Sequence, residues 1–317
     1  MQDILVLKGW RALLMSLLLV GCTAFNQGPE EVTVREPGHR LLGNPVPNRA
    51  EAVKHWQYAW LSDAAYARAV DGASKEICTG TDADQVLEKH DWKRWKDFPI
   101  PGGHLDSMMR NSHLRTEVWE NRKLQEIVVA FGGTEAKSGK DWLSNFRWFT
   151  FKFDDEYTVL VKQLAPAFVE EVSRRMKGDD YKWLNEARFI SVGHSLGGGL
   201  AQQFAYALPG SSVNLKVTQV YAFDPSPVTG FFSVDKTTRD ANKAGLFIDR
   251  IYERGEGLAI LRSFTSVFVR PSDINPTIRG VRYSLIQKGN AISNHSIHNF
   301  ACRVQKAAGM ETGEVRL

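Results

Sequence analysis

The apolar residues of the chain fall into two kinds of run. Some are short and compact: Ile127-Val128-Val129-Ala130-Phe131, unbroken, and Phe189-Ile190-Ser191-Val192 and Val217 to Phe223, interrupted only at Ser191, Thr218 and Gln219. A run that is apolar on both faces reads as a central strand covered on both sides. Val118-Trp119 precedes the first run across the turn Asn121-Arg122-Lys123, which predicts a pair of strands. Residues 246–252 and 265–270 are further strand candidates. The other runs repeat at three and four. From Glu51 the spacing of Val53, Trp56, Ala59, Trp60 and Ala64 is helical. Residues 154–177 predict a helix through Val159, Val161, Leu164, Phe168, Val169 and Val172, with Gly178 as its stop. A third helix follows Ser195, carrying Leu200, Ala201, Phe204, Ala205 and Leu208, and ends at Pro209-Gly210. Strands alternating with helices predict an α/β fold: a mostly parallel central sheet with helices on both faces.

Two stretches break this pattern. Residues 71–115 are polar and show neither period. Residues 22–50 hold Pro29, Pro37, Pro45 and Pro47 with several glycines, a density that predicts a tether or irregular lead-in to a domain over 51–317. Before them, Lys8 and Arg11 precede the apolar run Leu13 to Val20. A basic segment followed by a short apolar one predicts an export signal over 1–21. The run is shorter than the roughly 20 residues a membrane span needs. It ends in Leu19-Val20-Gly21-Cys22, which resembles the lipobox of bacterial lipoproteins. That resemblance implies cleavage before Cys22 and acylation of its thiol, hence membrane attachment through Cys22. Thr23, where an Asp is the usual inner-membrane retention signal, favours the outer membrane or its periplasmic side. The remaining cysteines, Cys78 and Cys302, have an oxidising compartment in which to pair, or stand as two separate buried thiols.

Composition sets broad limits. Of 317 residues, 43% are hydrophobic, enough for a large core. A net charge of +4 is too small for a chain of this length to call for a nucleic-acid partner.

The chemistry concentrates at Gly193-His194-Ser195-Leu196-Gly197. A Gly-x-Ser-x-Gly by itself turns up by chance in about one chain in ten of this length, given ordinary Gly and Ser usage. Here it sits between a buried strand and an amphipathic helix, where a nucleophile elbow belongs. The turn is tight, so Gly193 and Gly197 are required on its flanks. The serine stands at a helix N-terminus, whose positive end favours the oxyanion of acyl transfer. A strand-to-helix turn with a capping serine is the plainer alternative. In α/β-hydrolase folds the order along the chain is nucleophile, acid, histidine. Only His295 and His298 lie beyond the elbow, so one of them is the expected base. The acid lies between, and Asp224 and Glu256 best fit the end of a strand entering a turn.

These residues resemble the class 3, fungal-type lipases of the α/β-hydrolase superfamily. The elbow Gly193 to Gly198 matches that family's form, and Ala130-Phe131-Gly132-Gly133-Thr134 with Asp141-Trp142-Leu143-Ser144-Asn145 is similar to its oxyanion strand and loop. The resemblance implies that Thr134 and Leu196 donate the two oxyanion N–H groups. Arg250 to Leu258 is similar to the stretch that holds the acid, which falls on Glu256, with Asp224 the rival. His295 with the aromatic Phe300 five places on is similar to the family's terminal motif and selects His295 over His298. The likeness spans about residues 50–305. It departs at Gly132-Gly133, where the family commonly has an Arg, and at the acid, Glu rather than Asp.

The resemblance implies hydrolysis of lipid esters through an acyl-enzyme, with no metal or organic cofactor. His104, His113 and the other upstream histidines lack ligand spacing. Aromatics from Trp142 to Phe153 and the pair Phe231-Phe232 are candidates for an acyl-chain wall, or for ordinary buried strand. A non-lipid serine hydrolase (esterase, thioesterase or acyltransferase) and an inactive envelope lipoprotein of the same fold are the other readings, since fold does not fix chemistry.

Overall fold

A computed structural model describes residues 31–35, 42–44, 48–66, 81–133, 154–210, 215–226, 228–253, 276–285 and 295–309. In chain order the elements are β1 (Glu31–Arg35), β2 (Leu42–Asn44), α1 (Asn48–Ala64), α2 (Ala83–Lys89), β3 (Lys93–Arg94), α3 (His104–Asn111), β4 (Arg115–Asn121) and β5 (Glu126–Gly132). After them come α4 (Asp154–Val159), α5 (Ala165–Arg175), β6 (Arg188–His194), α6 (Leu196–Ala207) and β7 (Val217–Phe223). The last are α7 (Lys236–Lys243), β8 (Phe247–Glu253), β9 (Thr277–Tyr283) and α8 (Ile297–Ala307).

The nine strands form one sheet in the order β2-β1-β9-β8-β7-β6-β5-β4-β3. Strands β5 to β9 run parallel and in sequence, and antiparallel strands β4 and β1 border them. The expected pair 118–119 and 127–131 is the β4–β5 hairpin. The architecture is that of an α/β-hydrolase: a mostly parallel sheet with helices packed on both sides.

The apolar runs explain the layering. Along β5, Ile127, Val129 and Phe131 face one core with α5 and α6, while Val128 and Ala130 face a second core with α1, α2 and α8. Side chains alternate across a strand, so a run apolar at every position serves both faces. In the second core α1 packs along α8, and Trp60 Nε1 donates to Gln305 Oε1 at 2.6 Å. Phe300, fully buried, rests against Phe223 and Tyr283 with ring centroids 5.7 and 5.5 Å away. This packing fixes where α8 begins, and so where the residue just before it points.

Two expectations change in detail. The stretch 22–50, expected as a tether, contributes β1 and β2 to the sheet; the alternation Val32-Thr33-Val34 outweighs the prolines on either side, and β1 pairs along its whole length with β9. The helix expected over 154–177 runs from Asp154 to Arg175 but passes through a π turn at Leu160–Leu164. Pro166 follows after one residue, Ala165; it has no N–H to donate into the preceding turn, so the regular ladder breaks there. Residues 1–30, the strand expected at 265–270 and the aromatic run 142–153 lie outside the described residues. Among the described residues no helix is long and apolar enough to cross a membrane. Cys302, fully buried on α8, is disulfide-bonded, and the chain's other cysteines, Cys22 and Cys78, lie outside the described residues.

Candidate active site

The site is built at the C-terminal edge of the parallel strands. Strand β6 ends at His194, Ser195 takes φ 55° and ψ −123°, and α6 starts at Leu196. A non-glycine residue in that region is strained and persists only where its surroundings hold it. Three backbone bonds do so: Ser195 N–H donates to the Phe223 carbonyl (2.9 Å), and the Ser195 carbonyl accepts from Gly198 (3.0 Å) and Ser226 (2.8 Å). The flanking glycines are sterically fixed. A Cβ on Gly193 would lie 2.2 Å from the Gly197 carbonyl oxygen, and one on Gly197 would lie 2.2 Å from that of Phe131. Leu196 is the first residue of α6, where N–H groups have no partner in the helix.

His295 Nε2 lies 3.0 Å from Ser195 Oγ, across a separation of 100 residues in the chain. The ring is buried and stands immediately before Ser296, the N-cap of α8, whose Oγ accepts from Asn299 N–H. His298 is turned elsewhere: its Nδ1 meets Asp63 Oδ2 at 2.8 Å and its ring packs edge-on to Trp60. Of the two histidines beyond the elbow, His295 is the one brought to the serine.

Asp224 follows β7, the neighbour of the nucleophile strand. It is 1% exposed and sits at φ 39°, a second strained non-glycine position at the site. Its N–H donates to the Ile251 carbonyl at 2.7 Å, and its Oδ1 accepts from Glu253 N–H at 3.3 Å. His194 Nε2 lies 4.0 Å from Asp224 Oδ2, and its ring is 4.6 Å from that of His295. One ligand-type atom from each of His194, Asp224 and His295 falls within 4.8 Å of the others. The arrangement sets a buried carboxylate beside two imidazoles. Glu253, fully buried at the end of β8, accepts from Leu285 N–H at 2.8 Å. Glu256, Thr134 and Cys22 lie outside the described residues.

Two residues near the elbow had no signal in the sequence. Tyr66 ends the α1 turn and reaches the elbow from the second core: its Oη lies 2.9 Å from His194 Nδ1 and 3.0 Å from the His194 carbonyl oxygen. Glu253 was one of seven carboxylates between the elbow and His295, with nothing to set it apart. Phe231 and Phe232, read as a flank, lie by the far end of α6, where Phe231 packs on Tyr206 and Phe232 is 88% exposed. The upstream histidine His55 is buried in a different network, bonded to Tyr283 and Asp249.

With this geometry the chain meets known proteins at one level. Residues 57–213 match the model of a Tle-like phospholipase domain. That match and the sequence resemblance agree on a lipase-like domain. No curated protein sequence matches the chain. Among solved structures the chain is similar to the Lip2 lipase of Yarrowia lipolytica (15% identity, 79% of this chain and 94% of that one, TM-score 0.44). It is similar also to a fungal lipase–inhibitor complex (15%, 82% and 97%, TM-score 0.42). The lipase of Rhizopus microsporus var. chinensis is a third (18%, 64% and 66%, TM-score 0.36), and the chain spans just under two thirds of its length.

Proposed function

We propose that the chain is a serine carboxylic-ester hydrolase that acts on lipid esters, with phospholipids the favoured substrate class. The observation that carries this is the 3.0 Å approach of His295 Nε2 to Ser195 Oγ at a strained strand–turn–helix elbow. The phospholipase-like domain match supports the substrate class.

In this reading His295 takes the proton of Ser195 Oγ as the oxygen attacks the ester carbonyl. The tetrahedral oxyanion is held by the N–H groups of Leu196 and Thr134, each worth a few kcal/mol in acyl transfer. His295 then protonates the leaving alcohol, and water releases the acyl group from Ser195. A carboxylate holds the imidazole in its productive tautomer. Asp224 is the acid favoured by its burial and its closeness to both imidazoles; Glu256, favoured by the family resemblance, is its competitor. No metal or organic cofactor enters the scheme. Cleavage after Gly21 and acylation of Cys22 would carry the enzyme on the membrane, at the outer membrane or its periplasmic side, close to lipid substrate.

The test is hydrolysis of phosphatidylglycerol vesicles, p-nitrophenyl palmitate and p-nitrophenyl butyrate by the full-length chain. Release of fatty acid from the vesicles, and palmitate preferred over butyrate, is the expected result. Butyrate alone would move the reading to a short-chain esterase. Inactivity on all three would leave a hydrolase fold with another role.

A further inference from the structure

We propose that Tyr66 is a positioning residue that clamps the oxyanion strand to the nucleophile elbow; this rests on the hydrolase reading above. Two observations meet at its phenol. On one side Tyr66 Oη lies 3.0 Å from the carbonyl oxygen of His194, the peptide directly before Ser195, and 2.9 Å from Nδ1 of the same residue. One O–H cannot donate to both. The arrangement that satisfies both has the phenol donating to the carbonyl while Nδ1–H donates to the phenol oxygen. On the other side Tyr66 lies against Gly133, the residue before Thr134. A Cβ on Gly133 would sit 2.2 Å from Tyr66 Oη and 3.0 Å from the His194 carbonyl oxygen. A Cβ on Gly132 would sit 2.6 Å from the carbonyl oxygen of Ala65.

The Gly132-Gly133 pair therefore has a cause. Gly132 and Gly133 carry no side chain, and the turn after α1, Ala65 and Tyr66, fills the space. Tyr66 touches both segments that lead into the proposed oxyanion donors, Gly133 into Thr134 and His194 into Ser195-Leu196. It makes no claim on the reacting atoms. Its effect is to hold Gly133 against the His194 peptide, and small misplacements around a reacting centre are costly, up to about a hundredfold for 1 Å.

The test compares Tyr66→Phe with the wild-type full-length chain on p-nitrophenyl butyrate, and titrates both with an alkylboronic acid, which mimics the tetrahedral intermediate at a nucleophilic serine. The expected result is a kcat about ten- to a hundredfold lower, KM within about twofold, and boronate inhibition weakened in proportion to kcat. The melting temperature should stay within a few degrees. Tyr58→Phe, on α1 two turns before Tyr66 but bonded to Glu126, is the control and should lower the melting temperature with kcat unchanged. Gly133→Ala should cost less in the Tyr66→Phe background than in the wild type, because the 2.2 Å clash involves the deleted hydroxyl. A kcat within twofold of wild type overturns the inference, as does a loss of kcat with boronate affinity intact. If the wild type itself hydrolyses no ester and takes up no fluorophosphonate, the hydrolase reading fails and the inference falls with it.

Discussion

Gly193 and Gly197 face each other across the elbow so closely that a Cβ on the first would lie 2.2 Å from the carbonyl oxygen of the second. That contact is to backbone, which cannot swing aside as a side chain can. Gly193→Ala must therefore move the turn that carries Ser195. The expected outcome is at least a hundredfold loss of esterase activity with a drop in melting temperature, read by ester hydrolysis beside thermal denaturation. Gly210→Ala, where an added Cβ meets nothing, should leave both unchanged.

The acid is decided by two isosteric changes. Asp224→Asn should lower kcat at least a thousandfold, as loss of the orienting carboxylate does in serine triads, while Glu256→Gln should stay within about threefold. The reverse pattern would transfer the role to Glu256. Steady-state kinetics on p-nitrophenyl butyrate separates the two.

His298 provides the matching control for His295. Its bond to Asp63 joins α8 to α1 and is only part-buried. His298→Gln should cost about 1 kcal/mol of stability and leave kcat within about twofold. His295→Ala should remove activity by a thousandfold or more. Chemical denaturation and kinetics on both variants check the pair of statements.

A second buried network governs acid stability. Asp249 accepts from Arg279 and meets His55 Nε2 at 3.1 Å, and Arg279 also pairs with Glu51. Burial pushes both carboxyls up, and the contacts more than offset it: His55 and Arg279 at Asp249, and Lys54 and Arg279 at Glu51. Both carboxyls end below their usual values. A carboxyl held low when folded contributes stability above its unfolded pKa, near 4, and loses that contribution as pH falls through the folded value. The chain should lose stability steeply below about pH 4. Asp249→Asn should cost about 3 kcal/mol at pH 7 and progressively less at pH 3. Urea denaturation at the two pH values measures the difference.

The sheet was legible because Ile127 to Phe131 of β5 is apolar at every position, a pattern a doubly covered strand needs, and shorter apolar stretches mark β6 and β7. The elbow was legible because its Gly-x-Ser-x-Gly sits between an apolar strand and an amphipathic helix, and the contact that excludes a side chain at Gly193 is local, to Gly197. Chain order alone reduced the base to two histidines, and Phe300 in the second core explains why the first is chosen: its packing against Phe223 and Tyr283 sets the start of α8. What escaped the sequence depends on distant approach. Tyr66 is one aromatic among many until α1 is laid against β6. Val32 and Val34 look like part of a proline-rich tether until β9 offers a partner. Asp224 and Glu256 were equal by local criteria, and the sheet order, with β7 beside the nucleophile strand, is what brings Asp224 to the imidazoles.

The central claim is that Ser195 is a nucleophile activated by His295. Its most direct measurement is the intact mass of the full-length chain after reaction with a fluorophosphonate, followed by mapping of the modified peptide. The account predicts one adduct, on Ser195, formed at least a hundredfold more slowly in His295→Ala and absent from Ser195→Ala. An unlabelled wild type, or an adduct that persists in Ser195→Ala, would contradict it.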